Sequence, residues 1–199
     1  MQERSFTVSE LIGLCRQYYP TGRALDDHTH GTSPQWQRFH AKWHDAMKEP
    51  NPWLELRREV AAAFPTSLVG DATAYTHDGG YRCCVYAVGP RDKADGVSQE
   101  VVGCVSLLAP VSFIYCTQHR YRGGRRESPA DTVFLEEVPV ALDPTVSRLA
   151  GLIESTMGCQ ALSPHVAKVL IPDLCLDHME PGCASLFRAL FTLEPAVLP

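Results

Sequence analysis

Residues 100–118 read EVVGCVSLLAPVSFIYCTQ, and this stretch decides the fold. EVVGCVSLL is too continuously apolar for a strand with one face in water, so it belongs in the middle of a sheet. Pro110 interrupts the run, and VSFIYCTQ, rich in β-branched and aromatic residues, follows as the next strand. Upstream, SLVGDATAYT (67–76) and YRCCVYAV (81–88) show a period near two on either side of HDGG, where Asp78-Gly79 predicts a hairpin turn. Residues 89–98 are polar and read as a loop. Downstream, HRYRGGRRESPAD (119–131) reads as a loop and TVFLEEVPV (132–140) as a returning fifth strand.

Helical spacing takes over on both flanks of this sheet. Thr7 and Glu10 form a capping box ahead of Leu11, Leu14, Cys15 and Tyr18, and Pro20 ends that helix. Ser33-Pro34 and Asn51-Pro52 each place a capping residue before a proline at the first helical position. The second helix presents Trp36, Phe39, His40, Trp43 and Met47 on one face, and the third presents Trp53, Leu56, Val60 and Phe64. Asp143-Pro144 opens a fourth helix with Val146, Leu149, Ala150, Ile153 and Met157 in one stripe, stopped at Gly158. VAKVLI (166–171) reads as a last strand and residues 184–191 as a short terminal helix. The expected fold is therefore α+β, with a mostly antiparallel sheet of about five to six strands. Residues 1–199 form one domain in this reading: helical over 1–64, sheet-rich over 66–140 and helix–strand–helix over 143–193.

Composition bounds the chemistry. The chain has 199 residues, 45% of them hydrophobic, with 18 Lys and Arg against 23 Asp and Glu. That length buries a core without disulfides or a structural metal, which excludes a disulfide scaffold or a disordered chain. Eight cysteines lie in apolar segments with no C-x-x-C spacing, the usage of buried hydrophobes in a reducing compartment, and no cofactor is expected. The opening MQERSFTVSE lacks the order of a signal peptide, and no stretch approaches the ~20 apolar residues of a membrane span, so the cytoplasm is the expected location and no membrane partner is expected.

Four residue groups carry candidate chemistry. Asp26, Asp27, His28 and His30 place metal-ligating side chains within five residues, and His40 and His44 lie four apart on one helix. Ala41 stands where a metalloprotease helix needs Glu, and a pair of histidines fills only half a tetrahedral shell. A solvated polar loop is the favoured reading of the first group, and His40, on the Trp/Phe stripe, reads as a boundary residue with one ring nitrogen hydrogen-bonded. Cys83 and Cys84 point to opposite faces of a strand, so a thiol dyad would need His77 beside one of them. The run His119 to Arg126 is the one basic concentration, but the acidic balance of the chain argues against nucleic acid. Acidity is concentrated instead: residues 127–199 hold ten acidic and three basic side chains. Among them Glu136, Glu137, Asp173, Asp177 and Glu180 are the expected contacts for a basic protein partner, since complementary potentials steer association.

The succession Trp53…Leu56, Asp71-Ala72-Thr73, Tyr81-Arg82-Cys83, Val105-Ser106-Leu107-Leu108-Ala109-Pro110, Ile153-Glu154, Pro172-Asp173 and Leu186-Phe187…Leu190-Phe191 resembles small uncharacterised proteins of myxobacterial type, some encoded as immunity partners of secreted toxins. The resemblance spans residues 53–191. It implies a cytoplasmic immunity protein that neutralises a toxin by binding it, and it transfers no catalytic residue. The expected function is thus non-catalytic binding of a basic toxin domain. The alternative is a small metal-binding protein or enzyme using Asp26, His28, His30, His40 and His44.

Overall fold

The computed structural model of the chain describes residues 6–22, 32–48, 52–88, 96–127, 132–176, 179–180 and 182–198. Three helices come first: α1 (Val8–Tyr18), α2 (Pro34–Lys48) and α3 (Pro52–Ala63). Thr7 and Glu10 close the capping box at α1, and Ser33 Oγ accepts the Trp36 N–H at the start of α2. Asn51, the expected cap of α3, lies outside the described residues.

The sheet follows: β1 (Val69–Asp71), β2 (Gly80–Val88), β3 (Gly96–Ser106), β4 (Val111–Arg122), β5 (Arg125–Arg126), β6 (Thr132–Phe134) and, after the fourth helix, β7 (Gln160–Ala161). Among the described residues it has seven strands in the order β1-β2-β3-β4-β5, with β6 and β7 also on β4 and only β7 running parallel. The EVVGCVSLL stretch is central, as its composition requires, between β2 and β4. Pairings such as Cys83↔Gly103 and Gly103↔Ile114 put odd-numbered β2 and β3 residues on one face, and Arg82↔Cys104 and Cys104↔Phe113 put their even-numbered neighbours on the other.

The first face receives the long helices. On it Tyr81 stacks on Trp53 with ring centroids 4.9 Å apart and meets Trp43 edge-on at 5.3 Å, which fixes α2 and α3 to the strand. Helix α4 (Asp143–Met157) lays Leu149 and Ile153 directly on Gly103, which has no side chain to lift the helix off. Gly158 ends α4 at φ 61°, as its position predicts. The second face is covered by helix α6 (Leu186–Leu190), whose Phe187, with Phe191 beyond its end, meets Phe113 at 5.4 and 6.1 Å.

Several expectations are corrected. Residues 166–171 are no strand: Ser163 Oγ accepts the Val166 N–H, Pro164 presets the first turn, and helix α5 (Pro164–Ala167) forms there. Only Leu170 pairs, through an isolated bridge to Ser185. The first part of the loop expected at 119–131 is a hairpin, because β4 continues to Arg122 and Gly123-Gly124, at φ 57° and 71°, supply the two left-handed residues of a tight turn into β5; residues 128–131 lie outside the described residues. The strand expected over 132–140 stops at Phe134, and Val140–Leu142 is a 3-10 turn leading into α4. The expected 67–76 strand shrinks to β1, since Asp71 Oδ1 accepts the Thr73 N–H and bends the chain away. The turn to β2 therefore spans residues 72–79, with Thr76 at φ 70°, instead of closing tightly at Asp78-Gly79.

Candidate functional site

Asp26, Asp27, His28, His30 and Asp177 lie outside the described residues. His40 and His44 are exposed on α2. The His40 ring stands edge-on to Trp36 at 4.7 Å, and His44 Nδ1 lies 3.9 Å from Asp45. No group of three or more metal-ligating side chains comes together among the described residues.

The acidic residues divide. Glu136 pairs with Lys168 at 2.7 Å and Asp173 with Arg16 at 2.8 Å, so two expected partner contacts already hold cations of this chain. The hydrogen bond from Arg16 holds the Asp173 carboxyl below its ordinary value. Glu137 and Glu180 are exposed.

The thiols are set up against nucleophilic work. None of the eight cysteines is in a disulfide, and seven of them are buried, with Cys183 exposed. Burial pushes the thiols of Cys15, Cys83 and Cys116 up to about 12, far from thiolate at neutral pH. His77 sits in the exposed part of the 72–79 turn, and Cys83 pairs with Asp71 and Gly103 in the sheet, so the dyad is not assembled.

The most built polar arrangement lies on the second face, where sequence reading placed nothing. Arg82 is 2% exposed and Asp78 3%. Arg82 Nε donates to Asp78 Oδ2 at 2.8 Å, and the same oxygen accepts the Ala74 N–H at 2.8 Å, so the ion pair also closes the 72–79 turn. Burial raises the Asp78 carboxyl above its ordinary value against the opposing pull of Arg82. Further along the same face Glu100, fully buried, accepts from Thr117 Oγ1 at 2.8 Å, bonds Ser98 Oγ through its other oxygen, and lies 3.3 Å from His119 Nε2. These four residues are the register pairs Glu100↔Thr117 and Ser98↔His119, one step apart on one face.

Over Arg82 runs a strap, residues 193–197, rooted at Thr192, which is fully buried. Each of its five carbonyls accepts from a side chain. Arg188 Nη1 donates to Leu193 O at 2.6 Å, Arg82 Nη1 to Glu194 O at 3.3 Å and Val197 O at 3.2 Å, Tyr115 Oη to Pro195 O at 3.0 Å, and Arg126 Nη2 to Ala196 O at 2.7 Å. Beside the strap opens a cleft of about 460 Å³ lined by His77, Asp78, Arg82, Met179, Arg188 and Glu194 among others. The alternation of Arg82 and Cys83 along the strand held a partial signal, because an Arg inside a buried strand requires acceptors across the fold.

No protein-family model matches the chain, and no curated protein or solved structure is significantly similar to it. No described helix is long and apolar enough to cross a membrane.

Proposed function

We propose that this chain is a non-catalytic binding protein that docks a basic protein partner, a toxin domain in the setting its resemblance implies. The reading is supported above all by one observation. Val140 and Leu170 are 81% and 55% exposed, and the segments that carry them are tied together by the Glu136–Lys168 ion pair. Glu136 and Glu137 lie on the first segment, and Asp173 and Glu180 follow the second. Apolar side chains offered to solvent amid acidic ones suit an interface with an apolar centre and a charged rim, in which the rim sets the approach of a positive partner. Lys168 and Arg16 would then exchange their present carboxylates for solvent or partner groups as basic side chains of the partner arrive.

The test is affinity capture from a lysate of the source organism at low salt, with the wild-type chain and with Glu136→Lys/Glu137→Lys. A basic protein retained by the wild type, released by salt and lost with the variant supports the reading. Identical retained proteins on both columns would contradict it.

A further inference from the structure

We propose that the second face of the sheet carries a peptide-recognition groove for a proline-turn segment, and that in this chain the groove is filled by the chain's own residues 193–197. The inference stands apart from the acidic surface and rests on how the strap is held. Two of its amide hydrogens are used internally: Glu194 N–H goes to Thr192 Oγ1 at 3.2 Å, and Val197 N–H returns to Glu194 O at 3.1 Å, closing a turn with Pro195-Ala196 at its two central positions. Proline is the residue preset for the first central position of such a turn. Glu194 O accepts from Arg82 as well as from within the turn, and Arg188, Arg82, Tyr115 and Arg126 meet the carbonyls of residues 193 to 196 in succession.

Leu193 and Leu198 pack against the core at the two ends of the strap, and the turn between them, Glu194–Val197, is held through its backbone carbonyls. Glu194 is exposed and Val197 is 55% exposed, whereas Thr192 at the root and Phe191 before it are completely buried. The donors belong to four separate parts of the molecule, β2, β4, β5 and α6, so the groove is formed by the fold and the strap is laid into it. The cleft beside it shares Arg82, Arg188, Leu193, Glu194 and Val197 with the strap, which leaves room along its length for side chains other than those of Leu193–Val197. Main-chain carbonyls carry no side-chain identity. A partner segment that forms the same proline turn satisfies the same donors, and the strap then acts as its competitor at the high effective concentration of an attached chain.

The experiment uses the full chain, ¹⁵N-labelled, titrated with an unlabelled synthetic peptide of residues 192–199, TLEPAVLP. The expected result is displacement: the amide resonances of Leu193, Glu194, Ala196 and Val197 move to random-coil positions while those of Phe113 and Tyr115 stay dispersed. A peptide with glycine in place of both prolines should not do this. Because a strap held in cis competes at millimolar effective concentration, the same titration is run on the full-length Pro195→Gly chain, where the peptide should bind about ten-fold more tightly. Failure of the peptide to displace or bind in either chain overturns the proposal. Equal action by the glycine peptide overturns the proline-turn specificity. Loss of the folded spectrum in Pro195→Gly would make the strap part of the core and overturn it as well.

Discussion

Replacing Gly103 with Ala and Ile153 with Val should be far less damaging together than the two changes suggest separately. A Cβ built on Gly103 lies 2.7 Å from Ile153 Cδ1, 3.1 Å from Leu149 Cδ2 and 3.3 Å from Leu149 Cγ, so α4 cannot keep its seat over β3 unless a side chain moves. The closest atom is the end of a side chain and not backbone, so the cost of Gly103→Ala should be that of moderate overpacking, about 1–3 kcal/mol. Ile153→Val removes the offending Cδ1 and alone costs about 0.5–1.5 kcal/mol for the methyl it deletes from a site that is 1% exposed. In the double variant the new methyl occupies part of the space left by Cδ1, and alanine lowers the entropy of the unfolded chain relative to glycine. The sum of the single costs should therefore exceed the cost of the double by about 1 kcal/mol or more. Urea unfolding followed by the fluorescence of Trp36, Trp43 and Trp53, with equal slopes across the four proteins, measures the cycle. Leu149→Ala and Glu154→Ala serve as controls on the same helix: the first is buried and should cost about 2–5 kcal/mol, the second is exposed and should cost little. Additivity within about 0.3 kcal/mol, or a double variant weaker than the sum, would refute the contact between α4 and Gly103.

Arg82→Met strands a buried Asp78 carboxylate and should cost about 3–5 kcal/mol by chemical denaturation, while Arg82→Met with Asp78→Asn should recover part of it; no recovery would mean the pair is not coupled. Native titration with a thiol reagent should modify Cys183 rapidly and leave the buried thiols, including Cys15, Cys83 and Cys116, until denaturant is added; rapid reaction of any of these three would contradict their burial. Asp173 is held below its ordinary value by Arg16, so the pair's stabilisation is fully present above the unfolded aspartate value near ~3.9 and is lost as pH falls through the lowered native one. With both side chains well exposed the effect should stay under about 1 kcal/mol, and a carboxyl NMR titration of Arg16→Ala should return Asp173 towards its ordinary value.

What was legible in the sequence was whatever local chemistry decides. The capping box at Thr7, the Ser-Pro start of α2, the Gly158 stop and the central position of the EVVGCVSLL strand all follow from neighbours a few residues away. The same chemistry was present at Ser163-Pro164 and at Gly123-Gly124, where the apolar run VAKVLI and the basic run around Arg120 drew the reading towards strand and loop instead. The second-face polar network was not legible, because its partners are brought together by register and not by spacing. Glu100 and His119 meet across a strand pair, and Arg82 meets carbonyls of residues 194 and 197 more than a hundred positions away. The acidic third was legible as a count of charges, but its division into carboxylates paired with Arg16 and Lys168 and exposed ones at Glu137 and Glu180 depends on tertiary contacts.

The claim that this chain works by docking a basic protein on its acidic surface is tested most directly by association kinetics with the captured partner over a range of salt. Wild type should associate fast at low salt, with a rate that falls steeply as salt rises, and Glu136→Lys/Glu137→Lys/Glu180→Lys should associate at least about ten-fold more slowly with a flattened salt dependence and an unchanged urea midpoint. Association rates and salt slopes that coincide for the two proteins would contradict the claim.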